Sequence, residues 1–433
     1  MLQGYKAGRV LEWAKTVLIV GLTISALLLG WQTGLFTEFV AGIPFFGSVA
    51  EMIRGTASPV ETGETPVKEA ARPLSIVITN EEGLRYGVRY DTDARNAVYD
   101  RASSIIGEAL GSAFEPVEID EDEWRSALSG AGVFFEYVTP VKLSVLDGWL
   151  GARIPEMPED ILLRRLYVAF GEERSRIYLQ DFESGSFFGA DTASAAGKAQ
   201  ELEIYSPNGA VFAYETGIRG SENAPYMLIM QESDHSEIRA APAGSTTDVL
   251  NIVLTSLGHG SDTYTMQPDG STAVRFVGIQ FSVRADIHGN IFYRRTDGLP
   301  PIEERKRLSE SEMIERARSV VADIIGGDIS GDAEVFFESA EYEQSGSGSV
   351  YFGYYIAGGR ISLQNDAHAA KVTFTYGAVT EVELVFRHFS YTGEYTGLLP
   401  ERQAIAAAGG EFMLCYSDTG HDVLRPFWVK YIF

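Results

Sequence analysis

The most prominent feature of the hydropathy pattern is a long apolar run near the amino terminus. Residues 16–37 are 22 consecutive uncharged residues, rich in Leu, Ile and Val. As a helix that rises about 1.5 Å per residue, this run would be roughly 33 Å long, enough to cross a hydrocarbon core of about 30 Å. Trp13 and Trp31 stand near its ends, where indole rings favour the membrane interface. The pattern therefore predicts a transmembrane helix at residues 16–37.

The charges that flank the run predict its orientation. Residues 1–15 carry Lys6, Arg9 and Lys15 against a single acidic residue, whereas Glu38 follows the run directly. The positive-inside bias places residues 1–15 in the cytoplasm and the remaining chain outside the cell. A cleaved secretory signal is the alternative, but the run exceeds the usual apolar stretch of about 7–15 residues, and no small-residue cleavage site follows promptly. We expect an uncleaved, single-pass anchor in the cell membrane.

Residues 38–73 predict a juxtamembrane segment and a linker. Residues 38–55 are apolar but interrupted by glycines and Pro44, which fits either an interfacial segment on the outer membrane face or a linker. Residues 56–73 hold three prolines and few large apolar side chains, a composition typical of a spacer.

Residues 74–190 predict a first α+β domain. The stretch LSIVIT begins at Leu74 and is strand-like, and a helical pattern follows for which Asp93 is the candidate N-cap. Residues 121–130 predict a second short helix, and residues 133–146 predict a strand that bends at Pro140. The first helix has apolar residues at helical spacing: Ala94, Val98, Ala102, Ile105, Ile106, Ala109 and Leu110.

Residues 191–300 predict a central antiparallel domain, because apolar and polar residues alternate with period two. Turn residues at Asn208-Gly209, at Asp269-Gly270 and at residues 288–290 predict three hairpins. A helix is predicted at residues 247–257.

Residues 301–433 predict a C-terminal α+β domain. Its first helix has the capping-box pair Ser309 and Glu312, and period-two strands follow, with a short helix near residues 400–408. The helix-then-strands order of residues 309–390 repeats that of residues 247–294, which indicates related units.

Composition fits an exported and folded body. Of the 433 residues, 45% are hydrophobic and 12% aromatic, sufficient for packed cores. The net charge of −25 argues against nucleic acid and anionic lipid headgroups as partners of the body. The chain has a single cysteine, Cys415, so an intramolecular disulfide is excluded, which fits a bacterial exported protein. The apolar residues around Cys415 predict a buried, inert thiol.

The sequence contains no catalytic constellation. The six histidines lack HxxxH and HxH spacing, and we interpret them as ordinary loop or edge residues. Neither a G-x-S-x-G motif nor a glycine-rich phosphate-binding motif occurs. The stretch DISGDAE at residues 328–334 has Ala333 where a calcium loop needs glycine. We expect no enzyme activity, no cofactor and no metal site, and a body that binds a partner.

Several stretches of this chain resemble the YycH/YycI family of regulators, and YycH in particular. They are the anchor LEWAKTVLIVGLTISALLLGWQ, residues 119–146, residues 288–295 and residues 308–325, together with the ending from GGRISL to the C-terminus. The resemblance covers most of the chain and departs from the family pattern at residues 38–73, which are longer here. It implies a single transmembrane helix followed by extracytoplasmic domains of antiparallel sheets with packed helices, the last of them YycI-like.

The resemblance also implies a function. Proteins of this family are non-catalytic accessories that bind a WalK-type sensor histidine kinase and set its activity within a WalK/WalR-type two-component system linked to cell-wall homeostasis. A YycI-like protein would be a further companion.

In this family the anchor helix takes part in the contact with the kinase. Helices in lipid associate through close packing at small residues and through side-chain hydrogen bonds. In this chain Gly21 and Ser25 form one small-residue face, and Thr23, Ala26 and Gly30 form another. These five residues are the predicted partner-helix contacts, with a purely anchoring helix as the alternative.

Two other functional classes remain open. A membrane-anchored enzyme of cell-wall or polysaccharide turnover would need a cleft with paired carboxylates. A ligand-binding or inhibitor module would use its anchor passively.

Overall fold

The computed structural model describes residues 67–431 except residues 114–115, 153–160, 172, 194–195, 232–233, 244–245, 261, 271, 301 and 303–304. Residues 64–433 form one compact unit. The anchor predicted at residues 16–37 lies outside the described residues, as does most of the predicted linker. Among the helices that the structure describes, none is both long and apolar enough to cross a membrane.

The architecture is mixed α+β with antiparallel sheets, as the sequence predicts. The helices are α1 (Thr92–Gly111), α2 (Glu121–Leu128), α3 (Leu143–Leu150), α4 (Ala196–Leu202), α5 (Thr246–Ser256), α6 (Glu310–Ile324), α7 (Gly327–Ser330) and α8 (Glu401–Ala408). Short 3-10 helices occupy Lys68–Ala71, Ala213–Thr216, Ser221–Asn223 and Gln364–Asp366.

The strands fall into two groups along the chain. The first group is β1 (Ser75–Thr79), β2 (Arg85–Val88), β3 (Val117–Ile119), β4 (Gly132–Lys142), β5 (Leu162–Ala169), β6 (Ser175–Asp181), β7 (Phe187–Thr192), β8 (Val211–Phe212), β9 (Leu228–Ile229) and β10 (Asp234–Pro242). The second group is β11 (Thr265–Pro268), β12 (Ala273–Val277), β13 (Phe281–Asp286), β14 (Asn290–Arg295), β15 (Glu334–Glu343), β16 (Ser347–Ile356), β17 (Gly359–Leu363), β18 (Ala370–Thr375), β19 (Ala378–Val385), β20 (Arg387–Gly397), β21 (Phe412–Asp418), β22 (Val423–Leu424) and β23 (Pro426–Lys430).

The first sheet is antiparallel, with strand order β2-β1-β4-β5-β6-β7-β3. Helix α1 packs against β1, β5 and β6. Its predicted apolar stripe is buried from Val98 to Leu110, whereas Ala94 is half-buried. The N-cap prediction was wrong by two residues: the Asp91 carboxylate, rather than that of Asp93, accepts a hydrogen bond from the Ala94 amide. The predicted strand at residues 133–146 ends at Lys142, and the LSVL sequence that follows starts helix α3.

The second sheet joins the two helix-then-strands units edge to edge. Its order is β11-β12-β13-β14-β19-β18-β16-β17-β21-β23, with β15 also paired to β16. Strand β14 pairs with β19, and helices α5 and α6 contact each other. The boundary predicted at residue 300 thus runs through one continuous sheet. The division into residues 74–190, 191–300 and 301–433 remains a prediction.

The hairpin predicted at Asn208-Gly209 was wrong, whereas those at Asp269-Gly270 and at residues 288–290 are confirmed. Before Asn208 the chain forms helix α4 and an irregular segment instead of a strand. The Asn208 side chain bonds to both backbone groups of Gly87, accepting from its amide at 3.0 Å and donating to its carbonyl at 2.7 Å. A tertiary contact with edge strand β2 therefore replaces the local turn.

Cys415 lies in β21 and is buried, as predicted. Burial raises the pKa of its thiol to about 11, which keeps the sulfur protonated and unreactive at neutral pH.

The capping box predicted for α6 is confirmed and provides a test of its stability. The Ser309 hydroxyl accepts from the Glu312 amide at 3.3 Å, and the Glu312 carboxylate accepts from the Ser309 amide at 2.6 Å. Ser309→Ala is expected to lower the free energy of unfolding by about 1 kcal/mol in urea denaturation, because the Glu312 amide at the start of the helix loses its acceptor. Ser319→Ala, on the exposed side of the same helix, is the control and should not lower the free energy of unfolding, because alanine has the higher helix propensity. Equal effects of the two substitutions would contradict a role for the cap.

Candidate functional site

A cleft of about 730 Å³ lies where distant parts of the chain meet. It is formed by the start of α1, the start of β10, the second half of β20 and the segment after α7. Its lining residues are Tyr90, Asp91, Thr92, Asp93, Asp234, His235, Ser236, Asp332, Ala357, Tyr391, Gly393 and Tyr395. The volume lies within the range of about 300–1,000 Å³ that is common for pockets holding small organic ligands.

Two of its walls come from the paired strands β10 and β20. The strands are antiparallel, with His235 opposite Thr396 and Ser236 opposite Tyr395, and a bulge follows Ser236. A bulge locally disrupts the ladder and re-aims side chains, and such bulges are frequent beside functional sites. Tyr395 is 67% exposed at the rim, a high value for a side chain with such a large apolar ring.

A glycine positions the segment after α7, which brings Asp332 to the cleft. Gly331 has a positive φ of 67°, and a Cβ atom there would stand 2.3 Å from the Phe389 carbonyl oxygen. Only glycine combines this backbone conformation with so close an approach. The Asp332 amide then donates to the same Phe389 carbonyl at 2.8 Å, which holds the Asp332 side chain at the edge of the cleft.

Four aspartates give the cleft its charge. Asp91 caps α1 by accepting from the Ala94 amide at 2.9 Å, and Asp332 accepts from the Tyr391 amide at 3.1 Å. Asp93 and Asp234 are exposed to the cavity. In the part of the chain that the structure describes, no lysine or arginine forms an ion pair with any of the four. The four carboxylates therefore line the cleft without a direct ion-pair partner among the described residues.

His235 lies in the wall between two aromatic rings. Its ring centroid is 4.7 Å from that of Tyr90 and 5.1 Å from that of Trp428, both edge-on. The residue is only 3% exposed, and its Nε2 atom has no hydrogen-bond partner among the described residues. Burial, with the positive charge of Arg89, lowers its pKa to about 4, although Asp234 acts in the opposite direction. The imidazole is therefore neutral near pH 7.

Tyr90 connects this wall to the C-terminal helix. Its hydroxyl donates to the carboxylate of Glu401, a fully buried residue in the first turn of α8 that also accepts from the Met230 amide. The aromatic wall is thus held by hydrogen bonds to a segment more than three hundred residues away in sequence.

A buried ionic cluster is a second contact between the first sheet and the C-terminal part of the chain. Glu136 on β4 accepts two hydrogen bonds from the Arg165 guanidinium, at 3.0 and 2.8 Å, and one from the Ser75 hydroxyl at 3.1 Å. Arg165 also donates to Glu411, and Arg164 donates to Glu411 at 2.6 Å. The cluster therefore joins the first sheet to the segment that leads into β21.

The carboxylates of this cluster are held in their charged forms. Burial alone would raise the pKa of Glu411, but Arg165 and Arg164 outweigh it and lower that pKa to about 2. The pKa of Glu136 is lowered by the same two arginines against the effect of its burial. The charges of the cluster stay paired at every pH near neutrality.

The cleft is lined by polar and aromatic side chains. The aspartates offer hydrogen-bond acceptors, and Tyr90, Tyr391 and Tyr395 contribute aromatic rings to its lining. Among the described residues, no three His, Cys, Asp or Glu side chains lie close enough to share a metal ion.

The predicted partner contacts Gly21, Thr23, Ser25, Ala26 and Gly30 lie outside the described residues. No sequence pattern indicated the cleft, and the sequence predicted His235 to be an ordinary loop or edge residue. It lies instead at the start of β10, whose sequence DHSEIRAAP buries polar as well as apolar residues. That mixture hides the period-two pattern that would have indicated a strand.

Comparison with known proteins finds a likeness among solved structures. No protein-family model matches the chain, and no curated protein matches it. The crystal structure of YycH from Bacillus subtilis is similar to this chain, with a TM-score of 0.54 and 10% sequence identity, over 86% of this chain and 96% of that one. At this identity the likeness concerns the fold alone. The chain therefore has a YycH-like fold.

Proposed function

We propose that this protein is a non-catalytic, membrane-anchored regulator that binds a WalK-type sensor histidine kinase and modulates its activity. The system would be a WalK/WalR-type two-component system linked to cell-wall homeostasis. The observation that carries this proposal is the likeness to YycH, which spans 86% of this chain and nearly the whole of the other. The resemblance of the sequence stretches to the YycH/YycI family supports it further.

The proposal places residues 1–15 in the cytoplasm, the anchor at residues 16–37 in the cell membrane and the body outside. A regulator of this kind acts by binding two states of the kinase with different affinity, so that it shifts their populations without chemistry. The anchor helix would supply one part of the contact through Gly21, Thr23, Ser25, Ala26 and Gly30. The body, with a YycI-like C-terminal part, would supply another and would offer a surface for a YycI-like companion.

Replacing residues 16–37 with an unrelated apolar helix of equal length is the test of this function. The flanking Lys6, Arg9 and Lys15 are kept, so that insertion and orientation remain normal. We expect normal export of the body, measured by protease accessibility in whole cells, and an altered output of a promoter controlled by the response regulator. An unchanged promoter output would contradict the regulator function, since a passive anchor is interchangeable.

A finer version of the test uses single positions of the anchor. Gly21→Leu and Ser25→Leu fill the predicted small-residue face and are expected to reduce crosslinking to the kinase, because close helix approach requires small side chains. Val20→Leu is the matched control. Photocrosslinkers at positions 21, 23, 25 and 26 in native membranes should capture the kinase. Failure to recover any kinase from all four positions would argue against a helix contact.

The cleft favours a second function, that of a ligand-binding module with a passive anchor. Its unpaired aspartates and buried, unpartnered imidazole are unusual for a surface that only docks a partner. In that case the anchor replacement leaves function intact, as it would for a membrane-anchored polysaccharide-processing enzyme.

A further inference from the structure

We infer that strand β23 (Pro426–Lys430), at one edge of the second sheet, docks an extended, acidic segment of a partner protein, which adds to the sheet as a further strand. The free backbone groups of β23, its exposed side chains and the basic residues that border it support this interaction surface. The surface lies in the body, and it depends neither on the anchor contacts nor on the kinase-regulator function.

The backbone of β23 has hydrogen-bonding groups on its open side. The Tyr431 amide donates to the Glu411 carbonyl at 2.9 Å, so these two residues form a hydrogen-bonded pair. Such pairs alternate with non-bonded pairs along an antiparallel ladder, so Val429, two residues earlier, also directs its backbone groups towards β21. Trp428 and Lys430 therefore direct theirs to the open side. In the part of the chain that the structure describes, no strand pairs with that side of β23.

Two other sheet edges of the described structure are closed to a further strand. In β2, at the edge of the first sheet, the backbone amide and carbonyl of Gly87 are already bonded to the Asn208 side chain. At the opposite edge of the second sheet, β11 is four residues long and ends at Pro268, which has no amide hydrogen. Proteins commonly protect sheet edges in these ways. In β23 the proline is the first residue, so the amides of Trp428 and Lys430 stay available.

The inner face of β23 holds the strand in place. The Trp428 ring packs edge-on against the Phe412 ring, with the centroids 4.9 Å apart, and the indole N–H donates to the Leu399 carbonyl at 2.8 Å. Side chains alternate between the two faces of a strand, so Phe427 and Val429 lie on the other face, where they are 39% and 36% exposed. A partner strand therefore meets a preformed edge with apolar side chains beside it, which lowers the entropic cost of binding.

The basic residues that border β23 favour an acidic partner. The Arg425 side chain, directly before the strand, is 77% exposed and pairs with Glu237 at 3.4 Å. Lys430 is exposed at the end of the strand, and Arg402 is exposed on helix α8, which contacts β23. The edge thus presents three cationic side chains to a bound segment.

Acidic side chains near this edge are mostly enclosed. Within residues 399–430 the exposed one is Asp422. The other three accept hydrogen bonds inside the body: Glu401 from Tyr90, Glu411 from Arg164 and Asp418 from Arg387. At physiological salt the Debye length is about 8 Å, so the basic residues beside the edge act on a bound segment more strongly than distant acidic residues of the body do.

A second copy of this chain is a poorer occupant of the edge than an acidic segment. Its β23 would bring the same Arg425 and Lys430, and two chains that each carry a net charge of −25 repel one another. A lysine on an exposed edge strand also discourages pairing with an identical edge. The occupant that fits is an extended segment of another protein, with carboxylates beside its backbone groups.

Fluorescence anisotropy with the full-length protein in a non-ionic detergent tests this docking site. The probe is a short fluorescein-labelled peptide in which Glu alternates with Val and Thr, and the control peptide has Lys in place of each Glu. We expect saturable binding of the acidic peptide, binding of the lysine peptide that is roughly tenfold weaker, and an affinity that falls as NaCl is raised. Absence of binding, or equal binding of the two peptides, overturns the inference.

Two substitutions at one position separate backbone pairing from charge. Lys430→Ala removes the charge but keeps the open amide, and it should weaken binding of the acidic peptide about two- to fivefold. Lys430→Pro also removes that amide, which makes no bond to β21, and should weaken binding roughly tenfold further. Arg174→Gln is the control, because it removes a positive charge from the exposed turn between β5 and β6. Equal affinities of Lys430→Pro and Lys430→Ala overturn the backbone pairing.

Hydrogen exchange tests the same pairing in the unsubstituted protein, so the result does not depend on the folding of a variant. In the free protein the amides of Trp428 and Lys430 should exchange faster than those of Phe427 and Val429, which are bonded to β21. Saturating acidic peptide should slow exchange at Trp428 and Lys430, and unchanged exchange there overturns the inference. A concentration-dependent dimer that Lys430→Pro abolishes also overturns it, because a second copy would then occupy the edge.

Discussion

Glu136→Gln is expected to lower the free energy of unfolding by about 3–5 kcal/mol, the range observed when one partner of a buried ion pair is removed. Glu136 is 2% exposed and accepts two hydrogen bonds from the Arg165 guanidinium. A neutral amide has nearly the same shape but leaves the buried Arg164 and Arg165 with Glu411 as their one shared carboxylate, so that one positive charge of the cluster is no longer balanced. The amide nitrogen is also a donor where the carboxylate accepted hydrogen bonds from the Arg165 guanidinium. Urea denaturation followed by circular dichroism measures the loss.

A surface pair provides the control for this experiment. Glu383 pairs with Lys371 at 3.2 Å, and both side chains are partly exposed to water. Glu383→Gln is expected to change the free energy of unfolding by less than about 1 kcal/mol, because water and salt screen an exposed pair. The double variant Glu136→Met with Arg165→Met should recover much of the loss, since no buried charge remains unpaired. A loss for Glu136→Gln no larger than that of the surface control would show that the cluster is not a stabilising element.

Acidification is expected to destabilise the body in two separate ranges of pH. His235 has a pKa of about 4 in the folded protein, below the ordinary value of about 6.5, so the unfolded state binds its proton first. Stability therefore falls as the pH is lowered from about 6.5 to 4. Glu411 has a folded pKa of about 2 against an ordinary value of about 4.5, so its contribution, on the order of 3 kcal/mol, is lost between pH 4.5 and 2.

Two variants separate these ranges in a series of urea denaturations from pH 7 to pH 2. His235→Phe removes a titrating group and should flatten the stability profile between pH 6.5 and 4 while leaving the lower range intact. Glu411→Gln lowers stability at neutral pH because Arg164 and Arg165 lose a partner, and it should flatten the profile below pH 4.5. A wild-type profile that is already flat between pH 6.5 and 4 would contradict the neutral, buried state of His235.

The contrast between two predicted turns shows which parts of this fold local sequence can predict. Asp269-Gly270 forms its hairpin: Gly270 adopts a positive φ of 77°, and β11 pairs with β12 directly across the turn. Asn208-Gly209 has equally good turn residues, and Gly209 does adopt a positive φ of 80°. The Asn208 side chain nevertheless bonds to Gly87, more than a hundred residues earlier, and the local hairpin does not form. Turn propensity predicts that the chain turns at these residues. It does not predict the distant backbone group to which the Asn208 side chain binds.

The buried cluster and the cleft show that sequence is equally limited in predicting which charged residues are buried. In sequence, Glu136, Arg164, Arg165 and Glu411 look like ordinary surface charges, since such residues are rarely buried without partners. Only the approach of β4, β5 and the segment before β21 buries them together and lowers the pKa of both carboxylates. A sequence pattern shows which residues are charged but not which of these charges are buried on folding.

The sequence alone determined the elements whose signal is local: the α1 stripe, the capping box at Ser309, the two confirmed hairpins and the antiparallel α+β class. It also predicts the anchor at residues 16–37. The tertiary structure decided the joining of the two helix-then-strands units through β14 and β19, and the meeting of Asp93, Asp234 and His235 in one cleft. The physical reason is that periodicity and capping act between residues a few positions apart, whereas burial, charge compensation and strand partners depend on residues that only folding brings into contact.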